Sequence, residues 1–178
     1  LQELYCKKSD YLNKEFIGNL NHEAIEQIEK IYPMDELVLN HTMYPQYARF
    51  IPLEQKKDAL YRLGHEPCDV HHLFCVLPRN DGEQYLRFCP MCAREDREIY
   101  GEAYWHRKHQ IRNVSICTKH KCRLKESTVP AKSEQCFTFC PAESYIGNEE
   151  AVVESNSMMI QFASYLDSVF DAPMDFEN

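Results

Sequence analysis

Four residues with metal-binding side chains stand in two pairs of equal spacing. Cys89 and Cys92 are separated by two residues, and so are Cys117 and His120, with 24 residues between the pairs. Thiolate sulfur and imidazole nitrogen are the ligands that structural Zn²⁺ takes in a closed tetrahedral site, whereas catalytic zinc keeps one position for water. The spacing therefore predicts a structural zinc site and favours a binding protein over a hydrolase.

A fifth donor lies close to the second pair. Cys122 follows His120 by two residues and offers a thiolate in place of the imidazole. We favour His120 as the fourth ligand, because loops of equal length then close both pairs. Cys122 stays an alternative.

A second group of donors has helical spacing. It consists of His65, Cys68, His72 and Cys75. On one helix the outer pair lies ~15 Å apart, which is too far for a single tetrahedron. We interpret this group as buried cysteines with capping or surface histidines.

A third group has only two members. Cys136 and Cys140 flank three residues of a predicted strand. They lack partners of matched spacing unless Cys122 joins them, so a second metal site stays open here.

Signatures of catalysis were sought as well. The run His65-Glu66-Pro67-Cys68 resembles part of a zinc deaminase motif, but that motif needs a proline before its later cysteine pair, and Pro90 lies inside the pair. The sequence has no His-Glu-x-x-His, no phosphate-binding glycine loop and no nucleophile elbow. We predict that the protein is not an enzyme.

Basic residues concentrate around the second ligand pair. The segment 103–125 has no Asp or Glu, while the rest of the chain holds 13 basic and 28 acidic residues. Single-sign clustering of this kind is typical of a phosphate-binding surface. We predict DNA contacts, with little base specificity, from Arg107, Lys108, Arg112, Lys119, Lys121, Arg123 and Lys125.

Length and composition exclude several classes of protein. The 178 residues allow one domain with a small addition, and no apolar run reaches the ~18 to 20 residues of a membrane span. No signal-peptide pattern opens the chain, so nine cysteines indicate a reducing cytoplasm. Because the first residue is Leu1, we expect a piece of a longer protein.

Helices dominate the first third of the sequence. Apolar spacing predicts helices from an N-cap at Asn21 to Pro33 and over 35–41, 53–63 and 68–76. Residues 43–52 contain two prolines and three aromatic residues, which predicts an extended, packed connector.

The remainder mixes short strands and helices. We predict strands at 85–88 and 114–116, with a third at 137–139, and helices at 93–99, 104–109 and about 157–170. The apolar stripe of the last helix is interpreted as core and consists of Met158, Met159, Phe162, Leu166 and Phe170.

These elements predict a mainly α fold with a small zinc-stabilised β-containing module, an irregular α+β architecture. We divide the chain into a helical region at 1–78, which is part of a larger N-terminal domain. A zinc-knuckle module follows at 79–126, and then a loop, a short strand and a C-terminal helix at 127–178.

Three sequence motifs resemble the zinc module of the TniQ/TnsD family, the target-selecting proteins of transposons. They are Arg87-Phe-Cys-Pro-Met-Cys92, Tyr100-Gly-Glu-Ala-Tyr-Trp105 and Cys117-Thr-Lys-His-Lys-Cys-Arg-Leu124. Residues 40–50 resemble the connector that precedes this module in the family. The resemblance covers about residues 1–173 and is closest to the TnsD branch.

The resemblance implies a DNA-associated adaptor of bacterial transposition. In the family the three cysteines and the histidine bind zinc, which carries over to Cys89, Cys92, Cys117 and His120. It also implies double-stranded target DNA and an AAA+ ATPase regulator as partners, with transposase subunits as further candidates, and a cytoplasmic, nucleoid-associated location. Two alternatives stay open: an adaptor without DNA contact of its own, as in RNA-guided systems, and a zinc-containing transcription regulator.

Overall fold

The computed structural model of the chain describes residues 12–13, 15–74, 84–133 and 139–177. Contacts group the chain into two compact units. Unit 1 comprises Leu1–Glu83, Ala131–Thr138 and Pro173–Asn178, and unit 2 comprises Gln84–Pro130 and Phe139–Ala172. The predicted three-part division stays a prediction.

Unit 1 is built from short helices. In chain order they are α1 (His22–Glu29), α2 (Met34–His41), α3 (Tyr44–Ala48), α4 (Leu53–His65) and α5 (Val70–Leu73). Two short strands, β1 (Leu12–Asn13) and β4 (Lys132–Ser133), pair antiparallel in the same unit.

Local chemistry explains where these helices begin. The Asn21 side chain accepts a hydrogen bond from the Ala24 amide at 2.8 Å, which confirms the predicted cap of α1. Pro33 and Pro52 precede α2 and α4, where a missing N–H costs nothing. The predicted helix ends are less accurate, because α4 continues through Gly64 to His65.

The segment 43–52 is not the extended connector that the sequence predicts. It contains α3, with Pro45 in its first turn, where proline is compatible with a helix. The Thr42 hydroxyl donates to the Val38 carbonyl at 2.7 Å and accepts from the Tyr44 amide at 3.0 Å. These bonds turn the chain from α2 into α3. The rings of Tyr44 and Tyr47 are buried, whereas Phe50 is 82% exposed.

Unit 2 contains the predicted zinc-knuckle segment. It consists of strand β2 (Tyr85–Phe88), helix α6 (Pro90–Tyr100), 3₁₀ turns at Arg107–Gln110 and Ala142–Ser144, strand β3 (Lys125–Pro130) and helix α7 (Ser157–Asp171). The strands β2 and β3 pair antiparallel, with Phe88 opposite Lys125. The prediction of a mainly α fold with a small β-containing module is confirmed.

Single β-bridges extend this framework beside the second ligand pair. Ile116 bridges to Arg123, and Cys122 bridges to Val153. The strand predicted at 114–116 is therefore a bridge only, and the helix predicted at 104–109 is a shorter 3₁₀ turn. The strand at 137–139 falls largely outside the described residues, and Phe139 is not in a strand.

Helix α7 corrects the prediction for its apolar stripe. Phe170 is buried, but Met158 is 76% exposed and Phe162 is 50% exposed. The buried side of the helix is formed instead by Ala163 together with Phe170. Apolar periodicity alone does not show which of the apolar side chains pack inward. In the described part of the chain, no helix has the length and hydropathy that a membrane crossing needs.

Candidate metal centre

The first ligand pair lies where β2 passes into α6. Cys89 is the N-cap of α6, and its sulfur accepts a hydrogen bond from the Cys92 amide at 3.4 Å. Pro90 occupies the first turn of the helix, where its fixed φ suits the geometry. The helix therefore begins at the ligand itself and places the Cys92 side chain beside the Cys89 side chain.

The second pair lies in a tight turn that the backbone closes. The Lys121 amide donates to the Cys117 carbonyl at 2.7 Å, and Lys121 has a φ of 51°. The Cys117 amide in turn donates to the Cys122 carbonyl at 2.8 Å. These bonds hold the side chains of Cys117 and His120 on the same side of the turn.

The four donor atoms have the spacing of a tetrahedral site. All lie within 4.8 Å of one another. The Cys92 and Cys117 sulfurs are 3.7 Å apart, and His120 Nδ1 lies 3.5, 3.4 and 3.8 Å from the sulfurs of Cys89, Cys92 and Cys117. Tetrahedral ligands at zinc distances would be separated by about 3.5 to 3.8 Å. The set therefore fits one metal ion of that size.

Burial and hydrogen bonding also suit a cation at this place. The three cysteines are buried and His120 is half-buried. Without a cation, hydrogen bonds from Cys117 and Cys92 hold the pKa of the Cys89 thiol far below its usual range. Hydrogen bonds with Cys117 and Cys89 raise the pKa of Cys92, because they favour its protonated form. A divalent ion would let all three ionise together.

The fifth donor, Cys122, stands beside the cluster. Its sulfur lies 3.2 Å from that of Cys89, but His120 and not Cys122 completes the group of mutually close donors. Burial raises the pKa of Cys122 to about 12. The alternative in which Cys122 replaces His120 is not supported by this arrangement.

A family model described as TniQ matches residues 6–124 of the chain. This chain belongs to the TniQ family. A curated relative, the transposon Tn7 transposition protein TnsD of Escherichia coli, is 25% identical over 145 residues, which are 80% of this chain and 28% of that protein. The chain thus spans little more than a quarter of the relative's length.

Among the described residues of this TniQ-family chain, the other cysteine and histidine groups do not form a metal-binding cluster. His65 contacts the Tyr61 carbonyl and Glu29, and Cys68 is a buried thiol whose pKa burial raises to about 11. Cys75 and Cys136 lie outside the described residues. Within the ranges that the structure covers, no second group of three or more Cys, His, Asp or Glu donors comes together.

Acidic side chains face most of the basic segment of the TniQ-family chain. Four of the predicted DNA-binding residues form ion pairs inside unit 2: Lys108 with Asp167 and Asp171, Lys119 with Glu95, Arg123 with Glu154, and Lys125 with Glu149. All but one of these carboxylates come from the segment 149–171, which contains five acidic residues and no Lys or Arg. Pairing lowers the positive potential of this surface.

The three remaining cations differ in their surroundings. The Arg107 guanidinium lies 4.6 Å from the centre of the Phe170 ring, and burial lowers its pKa. Arg112 is half-buried, and Lys121 is exposed. Arg107 therefore helps to pack α7 and is less suited to reach a phosphate than the sequence predicts.

Several polar residues near the centre were missed by sequence reasoning. Glu95 contacts His120 Nε2 at 3.0 Å, and His109 Nε2 lies 3.7 Å from the Cys92 sulfur. The buried Asp96 contacts His106 Nε2 at 2.7 Å. The position of Glu95 three residues after Cys92, on the same helical face, was the one available signal.

Proposed function

We propose that this chain is a non-enzymatic target-selection protein of a DNA transposition system, organised by a structural zinc ion. The proposal rests on the closed set of Cys89, Cys92, Cys117 and His120 within a chain of the TniQ family. The name of the curated relative supports transposition as the process. The resemblance noted in the sequence supports a bacterial, nucleoid-associated location.

Zinc is the metal that this donor set favours. Three thiolates and one imidazole select Zn²⁺ over the oxygen-loving Mg²⁺ and Ca²⁺. With four protein donors no position remains for a reactive water, so the ion would supply folding energy and no catalysis. It would join β2, the start of α6 and the turn at 117–120 into one frame.

Metal content and chelation test this role. Purified protein should contain about one zinc ion per chain, and a strong chelator should unfold unit 2. Trp105, the single tryptophan, donates to the Cys140 carbonyl at 2.7 Å and reports on unit 2 through its fluorescence. If chelation left the tryptophan emission unchanged, the structural role of zinc would have to be abandoned.

The candidate function of the frame is to present a basic surface to double-stranded DNA. Of the seven predicted cations, Lys121 is exposed, Lys119 is 63% exposed and Arg123 is 60% exposed. The pair of Lys119 with Glu95 is at the surface, where an ion pair contributes only ~0 to 1 kcal/mol and yields readily to phosphate. Arg123 is held more firmly, because its partner Glu154 is buried. Such contacts position a protein on DNA without reading its sequence.

A second candidate is an adaptor that contacts only protein, chiefly the AAA+ regulator of transposition, with transposase subunits as further candidates. The internal pairing of Lys108, Lys119, Arg123 and Lys125 favours it, because an ion-paired surface attracts DNA less strongly. A zinc-containing transcription regulator has no specific support in the structure.

A DNA titration at about 50 and 200 mM salt separates the two candidates. The variant Lys121→Glu/Lys125→Glu reverses two charges near the metal centre, and Lys56→Glu/Lys57→Glu on α4 is the matched control. DNA contact predicts weaker binding and a salt slope lower by roughly 0.9 per lost phosphate contact in the first variant only. If the affinity for DNA changed neither with salt nor in the first variant, DNA contact would be rejected and the protein-only adaptor would remain.

A further inference from the structure

Two buried sulfur atoms of unit 2 touch each other although only one belongs to the metal cluster. The sulfurs of Cys89 and Cys122 lie 3.2 Å apart, and both residues are fully buried. Cys122 is not among the four mutually close donors. It is therefore a spare thiol in contact with a candidate metal ligand.

The fold holds this contact from both sides. Cys89 is fixed as the N-cap of α6. Cys122 is fixed by its carbonyl, which accepts from the Cys117 amide at 2.8 Å, and by its bridge to Val153. The two residues are 33 positions apart in sequence, so the contact depends on the folded unit. A disulfide needs a sulfur separation of about 2.05 Å, which requires the side chains to approach by roughly 1 Å.

We propose that Cys89 and Cys122 form a thiol pair that peroxide closes to a disulfide, with loss of the metal. The Cys89 thiolate attacks one peroxide oxygen and the O–O bond breaks, which leaves a sulfenic acid on Cys89 and releases hydroxide. The Cys122 sulfur then attacks the Cys89 sulfur. The S–O bond breaks, the S–S bond forms, and the hydroxyl group leaves as water with the Cys122 proton.

Closure would remove one of the four ligands. The remaining donors, Cys92, Cys117 and His120, cannot fill a tetrahedral site, so metal affinity falls and unit 2 loses its frame. The inference goes beyond the proposed function, because it makes target selection sensitive to the oxidant level. Since both sulfurs are buried, the reaction requires local opening of the two ligand turns. We therefore expect it to be slow.

The contact distances distinguish this pair from its neighbours. Cys92 and Cys117 also approach each other, at 3.7 Å, but both are needed by the metal. Of the four cysteines in this cluster, Cys122 is the one that is not a candidate metal ligand. Its attack removes the sulfenic acid before further oxidation, which is the role of a resolving cysteine.

The test treats the zinc-loaded chain with hydrogen peroxide and follows metal release with a chromogenic chelator. Tryptic peptides then identify the disulfide, because cleavage after Lys119 and Lys121 separates Cys117 from Cys122. Fragmentation of the peptide that carries Cys89 and Cys92 shows which of them is bonded. We expect a Cys89–Cys122 disulfide that appears together with metal release and is reversed by dithiothreitol and added zinc.

Two single substitutions complete the experiment. Cys122→Ser should bind zinc normally under reducing conditions and release it about tenfold more slowly in peroxide. Cys68→Ser, which removes a buried thiol of unit 1, should behave as the unsubstituted chain. A disulfide between Cys92 and Cys117, or equal metal release from Cys122→Ser, would overturn the proposal. If Cys122→Ser does not fold, the peptide map of the unsubstituted chain decides alone.

Discussion

The Oε1 atom of Glu95 lies 3.0 Å from Nε2 of His120, the ring nitrogen opposite the one that faces the three thiols. The other carboxylate oxygen of Glu95 binds Lys119, and together these partners lower the pKa of Glu95, Lys119 most strongly. Because α6 carries both Cys92 and Glu95, one helix supplies a ligand and orients another. A carboxylate in this position fixes the tautomer of a metal-bound imidazole.

Removal of this carboxylate should weaken metal binding. We expect Glu95→Ala to lower zinc affinity about 10- to 100-fold, because His120 loses the partner that orients its ring. Competition with a chelator of known affinity measures the change. The control is Glu98→Ala, which removes an exposed carboxylate from the same helix. Equal affinities of the two variants would show that Glu95 does not support the centre.

The two phenylalanines of α7 should respond very differently to truncation. Phe170 is 4% exposed and carries the Arg107 guanidinium on its ring, whereas Phe162 is 50% exposed. We expect Phe170→Ala to lower the free energy of unfolding by about 3 to 5 kcal/mol and Phe162→Ala by about 0.5 kcal/mol. Urea unfolding followed by Trp105 fluorescence measures both. Similar losses would mean that α7 packs through its other face.

The parts of the site that the sequence predicts are those that depend on residues close together in the chain. Ligand spacing in a knuckle is set within a few residues, so the sequence alone predicts the group of Cys89, Cys92, Cys117 and His120. The structure brings these four residues together. The cap at Asn21 is local in the same way. The cap at Cys89 was not predicted, because α6 begins at Pro90 and the sequence predicts a helix only from residue 93. Properties that depend on four or five consecutive residues can therefore be predicted from the sequence.

Features that depend on distant partners were not predicted. The carboxylates that pair with Lys108 and Arg123 come from residues 31 to 63 positions away. Of the predicted apolar stripe of α7, Phe170 is buried, but Met158 and Phe162 are exposed. The turn at Thr42 made a helix of a segment whose prolines suggested extended chain. In each case tertiary contact overrides a local pattern.

Two glycines of unit 2 should respond in opposite directions to alanine. Gly101 ends α6 with a φ of 90°, a conformation that an L side chain strains, while a Cβ added there meets no atom within 4 Å. We expect Gly101→Ala to destabilise unit 2 by about 1 kcal/mol. A Cβ added at Gly147 also meets no atom within 4 Å, and the φ of Gly147 is not positive. Gly147→Ala should therefore be neutral or stabilising by up to about 1 kcal/mol.

Thermal unfolding of both glycine variants tests this difference. Because neither added methyl group meets a neighbour, the comparison isolates the cost of the backbone conformation at Gly101. An equal change in Tm for the two variants would contradict the assignment of Gly101 as a left-handed helix cap.

Glu143 should stabilise unit 2 in a pH-dependent way. Its carboxylate accepts from Arg97 Nε at 3.0 and 2.8 Å and from the Ala103 amide at 2.9 Å. The Arg97 hydrogen bonds, followed by that of Ala103, hold the pKa of Glu143 below its ordinary value of 4.5. A carboxylate whose pKa is lower in the folded state contributes stability above the unfolded pKa and loses it as the pH falls through the folded pKa.

The variant Glu143→Gln removes the charge and keeps the shape. We expect it to have a lower Tm than the unsubstituted chain at about pH 7, and the difference should disappear as the pH falls below the folded-state pKa of Glu143, where the carboxyl group is protonated in both states. Acid would also protonate the ligands of the proposed zinc ion in both proteins, so the quantity to compare is the difference between their Tm values. Glu150→Gln, at an exposed carboxylate of the same unit, is the control. A difference that persists unchanged in acid would show that the contribution of Glu143 arises from packing, because a contribution from charge must follow its protonation.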